Sequence, residues 1–247
     1  MAVFLRSADC PARRPCKEAT SVIKTTAFVR LLPLCTALLC SAAVGQTLEQ
    51  PLPDWSGVWQ MIGSTVFDAA TVEPRNGRSG NPGVREHPPY NAEWEAKYLA
   101  NIESVRQGRF PDPLTYCGIP AGFPRLLNVP DVYEFVVRPE QVWILTENGP
   151  NIMRIYTDGR EHPAEGDYWP TYSGDSVGHW EDDTLVVDTI GLKSDGDTIL
   201  DRTGLVLSEA MHIVTRIRKL DEQTLEARLV IEDPIALTAP WAVVKRY

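Results

Sequence analysis

The chain has 247 residues, of which 43% are hydrophobic and 23% charged, and its formal net charge at neutral pH is −9. An acidic chain repels phosphate backbones and anionic lipid headgroups, so this charge argues against nucleic acid and membrane surfaces as partners. The sequence contains no glycine-rich dinucleotide fingerprint, no P-loop and no haem-attachment motif, so we expect no cofactor.

Residues 1–45 have the pattern of a secretory signal peptide. Basic residues come first, an apolar run follows over 31–43, and small residues surround the expected cleavage site near Ala43 or Gly45. The run is too short to span a bilayer, so we expect no membrane insertion and a periplasmic or secreted product. The segment carries six basic and two acidic residues, and its removal leaves a charge of −13. The other four cysteines lie within residues 1–45, so Cys117 is the one that remains in the mature chain. We interpret it as a small buried residue rather than a nucleophile.

The remaining residues, 46–247, are enough for one domain with one core. Residues 67–90 are rich in proline, glycine and asparagine and predict a mobile arm. Residues 91–108 predict a helix, with Asn91 as its N-cap. The apolar positions of this helix recur at spacings of three and four, at Trp94, Tyr98, Ile102 and Val105.

Beyond residue 131 the chain consists of short runs rich in β-branched and aromatic residues, separated by turns. Three hairpins are predicted, at 132–137 with 141–147, at 176–181 with 184–190, and at 211–220 with 223–232. Single strands are expected at 56–62, 151–157 and 241–247. The sequence therefore predicts a mainly β fold, an antiparallel barrel of eight to ten strands with one helix near the N-terminal part.

Asp54–Trp59 reads DWSGVW and is similar to the opening of lipocalin-like barrels, in which a Gly-x-Trp closes one end of the barrel. In that resemblance a terminal arginine packs on the tryptophan, and Arg246 or Arg216 would serve here. The chain also resembles a large set of exported bacterial proteins. That resemblance is carried by the blocks 54–59, 117–120, 154–162, 174–189, 232–234 and 240–241. It implies export and a lipocalin-like barrel, and it implies no particular activity.

Alternate residues of a strand share a face, so Arg154 and Tyr156 lie together, and we expect them to face a barrel interior with His179. The residues predicted to move protons are His179, Tyr156 and Glu147. Arg154 is predicted to hold a developing negative charge on the substrate. The alternative interpretation makes the same set a structural network of ion pairs.

The aromatic loop 168–172 is interpreted as a ligand gate. The residues predicted to bind substrate, besides Arg154, are Tyr172, Trp169, Trp143 and His212. Residues 174–178 fit G-x-S-x-G, and Asp188 and His212 follow in hydrolase order, but no helix is available for a nucleophile elbow. The histidines lack the spacing of metal ligands, so no metal site is predicted.

Three functional hypotheses follow. The first is a cofactor-independent acid/base enzyme, a lyase, isomerase or hydrolase with a lyase favoured, acting on a small aromatic or apolar compound. The second is a non-catalytic, lipocalin-type protein that binds or carries such a compound. The third is a structural envelope protein, which should lack a cavity of a few hundred cubic ångströms. The oligomeric state stays open, and a homo-oligomer is compatible with the sequence.

Overall fold

The computed structural model describes residues 51–63, 65, 67, 87–112, 122–147, 152–194, 200 and 204–247. These residues belong to a single compact unit, Leu48–Tyr247. The predicted signal peptide, most of the predicted arm and Cys117 lie outside the described residues.

Among the described residues, nine strands form one sheet, in which each strand lies beside the strands that precede and follow it in the chain. They are β1 (Trp59–Gln60), β2 (Val132–Val137), β3 (Gln141–Thr146), β4 (Met153–Tyr156), β5 (Asp175–Glu181), β6 (Thr184–Ile190), β7 (His212–Asp221), β8 (Thr224–Glu232) and β9 (Trp241–Arg246). The sheet curls into a half-barrel, and the mainly β fold is confirmed. The three predicted hairpins are confirmed by the antiparallel pairing of β2 with β3, β5 with β6 and β7 with β8.

Every neighbouring pair is antiparallel except β4 and β5, which run parallel where Tyr156 pairs with Val177. Two parallel strands begin at the same end of the sheet, so the connection between them must cross back to that end. The connection 157–174 is long enough to do so. The wholly antiparallel arrangement predicted from the hairpins is wrong at this position. An isolated bridge between Ile62 and Arg246 joins the segment after β1 to β9.

The predicted helix is present as α1 (Ala92–Arg106). The Asn91 side chain caps it by accepting hydrogen bonds from the backbone N–H groups of Glu93 and Trp94, each at 3.1 Å. Trp94 and Tyr98 are buried, as the spacing of apolar residues predicts. In the part of the chain that the structure describes, no helix is long and apolar enough to cross a membrane.

The inner face of the half-barrel is packed mainly with apolar side chains. Its strand positions include Tyr133, Phe135, Val142, Ile144, Met153, Ile155, Leu185, Val187, Ile213, Ile217, Leu225, Leu229, Ile231, Trp241 and Val243. Ser176 and Thr189 are buried on the same face and satisfy each other by a hydrogen bond of 2.9 Å between their hydroxyl oxygens. The sequence analysis expected polar side chains to line an interior that holds a ligand, and this packing corrects that expectation.

Candidate functional site

A cleft of about 540 Å³ opens at the end of the half-barrel where the β2–β3 turn, the end of β4 and the β5–β6 turn meet. Its walls are formed by Pro51, Leu52, Pro53, Pro139, Thr157, Trp180 and Asp182. Three prolines, a leucine and an indole supply apolar surface, and Thr157 and Asp182 supply polar groups. The volume of the cleft falls within the range of small-molecule sites.

A second cavity of about 410 Å³ lies next to the first. It is lined by residues 52–57 and 134–138, so Leu52 and Pro53 contribute to both cavities. The extended segment 51–57 is therefore a wall that the two cavities share. Lys219 holds this segment to β7 through a hydrogen bond of 3.4 Å from its ammonium to the Asp54 carbonyl.

Two tryptophans meet between these cavities. The Trp180 ring, which lines the first, lies 5.3 Å from the ring of Trp55, which lines the second. Trp55 is only 1% exposed and also contacts Phe135 edge-on. The indole N–H groups of Trp55 and Trp180 are buried and have no hydrogen-bond partner among the described residues. Buried N–H groups nearly always have an acceptor, so these two groups require an explanation.

Hydrogen bonds make the rim of the first cleft rigid. The Thr157 hydroxyl donates to the Pro139 carbonyl at 2.9 Å, and the Thr157 backbone N–H donates to the Glu140 carbonyl at 2.8 Å. These bonds connect the end of β4 to the β2–β3 turn. Asp182 stands in the β5–β6 turn with a φ of 54°, a conformation that Asp tolerates better than most residues.

The resemblance to lipocalin-like barrels predicts an arginine over Trp59. A lysine lies there instead, since the Lys219 ammonium is 5.8 Å from the ring centroid. The two arginines proposed from the sequence have other partners, since Arg246 donates to Glu226 and Arg216 donates to Glu181.

Arg154, Tyr156 and His179 lie on the outer face of the sheet. Arg154 is exposed between the buried Met153 and Ile155, and the His179 side chain is 66% exposed. The predicted inward orientation is wrong because the alternate positions carry the apolar residues that fill the core. The roles proposed for these three side chains stay predictions.

The partners of these outer residues are other surface groups. The Arg160 guanidinium lies 3.7 Å from the centroid of the Tyr156 ring and pairs with Asp158 at 2.6 Å. The hydrogen bond from Arg160 lowers the pKa of Asp158. His179 lies 3.3 Å from Glu181, whose pKa is lowered first by the Arg216 guanidinium and then by His179. Exposed pairs of this kind contribute little to stability.

The remaining predicted residues are spread over the surface. Glu147 is exposed just beyond β3, and Trp143 is half-buried on the outer face. In the predicted gate loop Trp169 is 78% exposed, and the Tyr172 ring lies 5.0 Å from the Lys193 ammonium. The backbone of this loop is fixed at both sides, because Thr171 donates to the Gly191 carbonyl and the Tyr172 carbonyl accepts from Phe123. None of these side chains lines the cleft.

A cluster of histidines and carboxylates occupies the outer face of β5–β8. His212 Nε2 lies 2.5 Å from Asp188 Oδ1, and His212 Nδ1 lies 3.5 Å from Glu232. His162 Nδ1 lies 2.6 Å from Asp175, and its Nε2 lies 3.7 Å from the same Asp188 oxygen. Sequence reasoning missed this cluster, because the 157–174 connection brings His162 onto strands that are distant in the chain.

The Ser-Asp-His interpretation fails on geometry. Asp188 and His212 do form a pair, but Ser176 is buried on the opposite face of the sheet, where it bonds to Thr189. Side chains on opposite faces of one sheet cannot act on a common substrate. Gly178 has a packing role, since a Cβ there would lie 2.9 Å from Ile155 Cγ2.

Among the described residues, no group of three or more histidine, cysteine, aspartate or glutamate side chains is arranged to hold a metal ion. Comparison of the chain with protein-family models, with curated protein sequences and with solved structures found no match.

Proposed function

We propose that this chain binds a small, apolar or ring-bearing molecule in the cleft beside Trp180. The observation that carries this proposal is the cleft itself, whose volume of about 540 Å³ and wall of three prolines, a leucine and an indole suit such a ligand. A structural protein has no need of such a site. The proposal is the lipocalin-type binding function, with the ligand at one end of the half-barrel rather than at its centre.

The cleft is preorganised for binding. Pro51, Pro53 and Pro139 have restricted backbones, and Trp180 is held against Trp55. Thr157 bonds to the β2–β3 turn. Little conformational entropy is then lost when a ligand enters, which favours affinity.

The binding proposal is tested by titrating the protein with naphthalene and with coumarin, two bicyclic molecules of similar size. We expect saturable one-to-one binding, measured by tryptophan fluorescence and calorimetry. Trp180→Ala removes one wall and should weaken binding by about tenfold, since a buried aromatic contributes 1.5–3 kcal/mol. Trp169→Ala, outside the cleft, is the matched control and should bind as the wild type does. Equal affinity in the two variants would place the ligand elsewhere.

An acid/base enzyme is the second candidate, favoured by the pairs His162–Asp175 and His212–Asp188. A carboxylate that binds one ring nitrogen orients the imidazole, which suits proton transfer. In this candidate His162 and His212 join His179 as proton-transferring groups. Tyr156 and Glu147 remain predicted participants, and Arg154 the predicted anion-binding group.

The enzyme candidate is tested by exchange of the α-protons of 2-tetralone, an aromatic ketone, for deuterium, followed by NMR. We expect His162→Gln and His212→Gln each to slow exchange by about 100-fold, the scale of general acid/base catalysis. His87→Gln is the control, because His87 pairs with Glu95 at 2.6 Å away from this cluster, and it should retain the wild-type rate. Exchange no faster than in buffer, or exchange that survives both substitutions, excludes this chemistry.

Export and a lipocalin-like family relationship belong to the same proposal. They are supported by the basic and apolar pattern of residues 1–45 and by the DWSGVW block at 54–59. Expression of the full chain in a Gram-negative host, with N-terminal sequencing of the periplasmic product, tests export. We expect a mature chain that begins near Gln46. An uncleaved cytoplasmic product contradicts it.

A further inference from the structure

We propose that two copies of this chain associate through the outer face of β7–β9, with Glu232 of each copy paired with Arg228 of the other. This face is separate from the cleft, since none of the residues that line the cleft belongs to these three strands. The inference therefore concerns an interaction surface that the proposed function does not use.

An apolar row crosses the middle of the face. Val214 pairs with Val230 and Val230 pairs with Ala242, so three small apolar side chains lie side by side on adjacent strands. They point outward, because the residues before and after each of them in the chain are buried. Val230 is 40% exposed, and Ala242 is exposed beside it. A continuous apolar row of this kind is a surface that a partner can cover.

Charges of opposite sign lie on the two sides of this row. On β8, Arg228 precedes Val230 by two positions and Glu232 follows it by two, so all three side chains share the outer face. The side chains of Arg228 and Glu232 are 49% and 55% exposed. The Glu232 side is anionic, because Glu232 and Asp188 both approach His212, at 3.5 Å and 2.5 Å.

The arginine side contains a repulsion that a single chain relieves in part. Arg216 and Arg228 stand directly opposite each other on β7 and β8, and like charges in that position destabilise a sheet. Arg216 donates to Glu181 and Arg228 donates to Glu226. Glu226 is shared, however, since Arg218 lies 3.5 Å from it. A carboxylate supplied by a partner would lower the repulsion between the arginines further.

A second copy of the chain supplies that carboxylate by symmetry. In a two-fold dimer both copies use the same patch, and a half-turn about an axis along the apolar row exchanges the two ends of each strand. Val230 then faces Val230 of the other copy, and Glu232 faces Arg228 at two equivalent contacts. An unrelated acidic partner would satisfy the arginines and place its remaining charge against Glu232 and Asp188. The charge pattern therefore favours a second copy.

Sedimentation velocity of the purified protein from about 5 to 500 µM tests the dimer, and we expect a reversible dissociation constant of about 100 µM, because three strands form a small interface. Arg228→Glu and Glu232→Arg each oppose like charges at both contacts and should weaken association about tenfold. In an equimolar mixture of the two variants every contact pairs opposite charges, so the mixture should associate as the wild type does. Arg106→Glu, on the exposed surface of α1, is the matched charge reversal and should leave the dimer unchanged.

The wild-type protein provides a readout that does not depend on how the variants fold. In ¹⁵N–¹H spectra, the backbone signals of Val214, Val230 and Ala242 should shift as the concentration rises, and those of α1 should not. A monomer at every concentration, a mixture as weak as its separate components, or shifts confined to another face overturns the inference. Each of these outcomes leaves the binding proposal untouched, because the cleft takes no part in the contact.

Discussion

Glu226 lies on the outer face of β8, yet its side chain is only 1% exposed because arginines cover it. It accepts hydrogen bonds from Arg228 at 2.6 Å and from Arg246 at 2.8 Å, and Arg218 lies 3.5 Å away. Burial by itself raises the pKa of this carboxyl, but the hydrogen bonds from the two closer arginines outweigh burial and lower it. One carboxylate thus joins three strands at the surface.

Glu226→Gln should lower the free energy of unfolding by about 1–2 kcal/mol, the scale of charged hydrogen bonds partly screened by solvent. Urea denaturation at pH 7 measures it. Glu181→Gln is the control, because the ion pair of Glu181 with Arg216 is exposed on both sides and should contribute nothing measurable. Equal losses in the two variants would show that burial of Glu226 has no energetic importance.

Packing at Gly178 gives a second prediction at the level of one residue. An added Cβ would meet Ile155 Cγ2 at 2.9 Å and the Val186 carbonyl at 3.1 Å. Gly178→Ala should therefore destabilise the fold by about 1–3 kcal/mol, the usual cost of overpacking. Thermal unfolding that is unchanged in Gly178→Ala would contradict the packing argument.

At the level of elements, hairpin strands were predicted to within about one residue, because alternation and turn residues are local signals. The helix was predicted for the same reason, from Asn91 and the apolar spacing that follows it. The parallel pairing of β4 with β5 was not predictable. It depends on the path of the 157–174 connection, and no local pattern encodes that path.

The helix cap is testable. Asn91→Ala removes the acceptor for two N–H groups and also the bond from the Asn91 amide to the Ile235 carbonyl. We expect a loss of about 1–2 kcal/mol in the free energy of unfolding, measured by urea denaturation. Leu99→Ala, at an exposed position of the same helix, should change stability by less than about 0.5 kcal/mol. A cap variant as stable as this control would show that the helix does not depend on Asn91.

At the level of the whole molecule, two buried tyrosines make the free energy of unfolding depend on pH. Tyr133 and Tyr247 are buried with their rings 4.8 Å apart. Burial raises the pKa of both phenols, and for Tyr247 the neighbouring Tyr133 adds to the effect. Each hydroxyl donates to a short 3-10 helix, Arg125–Asn128, which precedes β2: Tyr133 to the Leu126 carbonyl and Tyr247 to the Leu127 carbonyl.

Above pH 10 the unfolded chain loses phenol protons that the folded protein retains. The unfolded state then binds fewer protons, so the free energy of unfolding must fall as pH rises. Urea midpoints measured from pH 8 to pH 11 should show this decline. Tyr247→Phe should be less stable at pH 8, by about 1 kcal/mol for the lost hydrogen bond, and should decline less steeply. A slope that is the same in both proteins contradicts the assignment.

The amino-acid sequence alone was enough to predict the mainly β class, the hairpins and the helix, because these follow from short-range periodicity and turn chemistry. Which side of each strand faces the core depended on the assembled sheet. Burial of Met153 and Ile155 is favourable, whereas burial of Arg154 demands a partner, so the polar face turned to water. The cleft likewise depends on segments far apart in the chain, 51–57, 138–140 and 180–182, which meet only when the sheet curls.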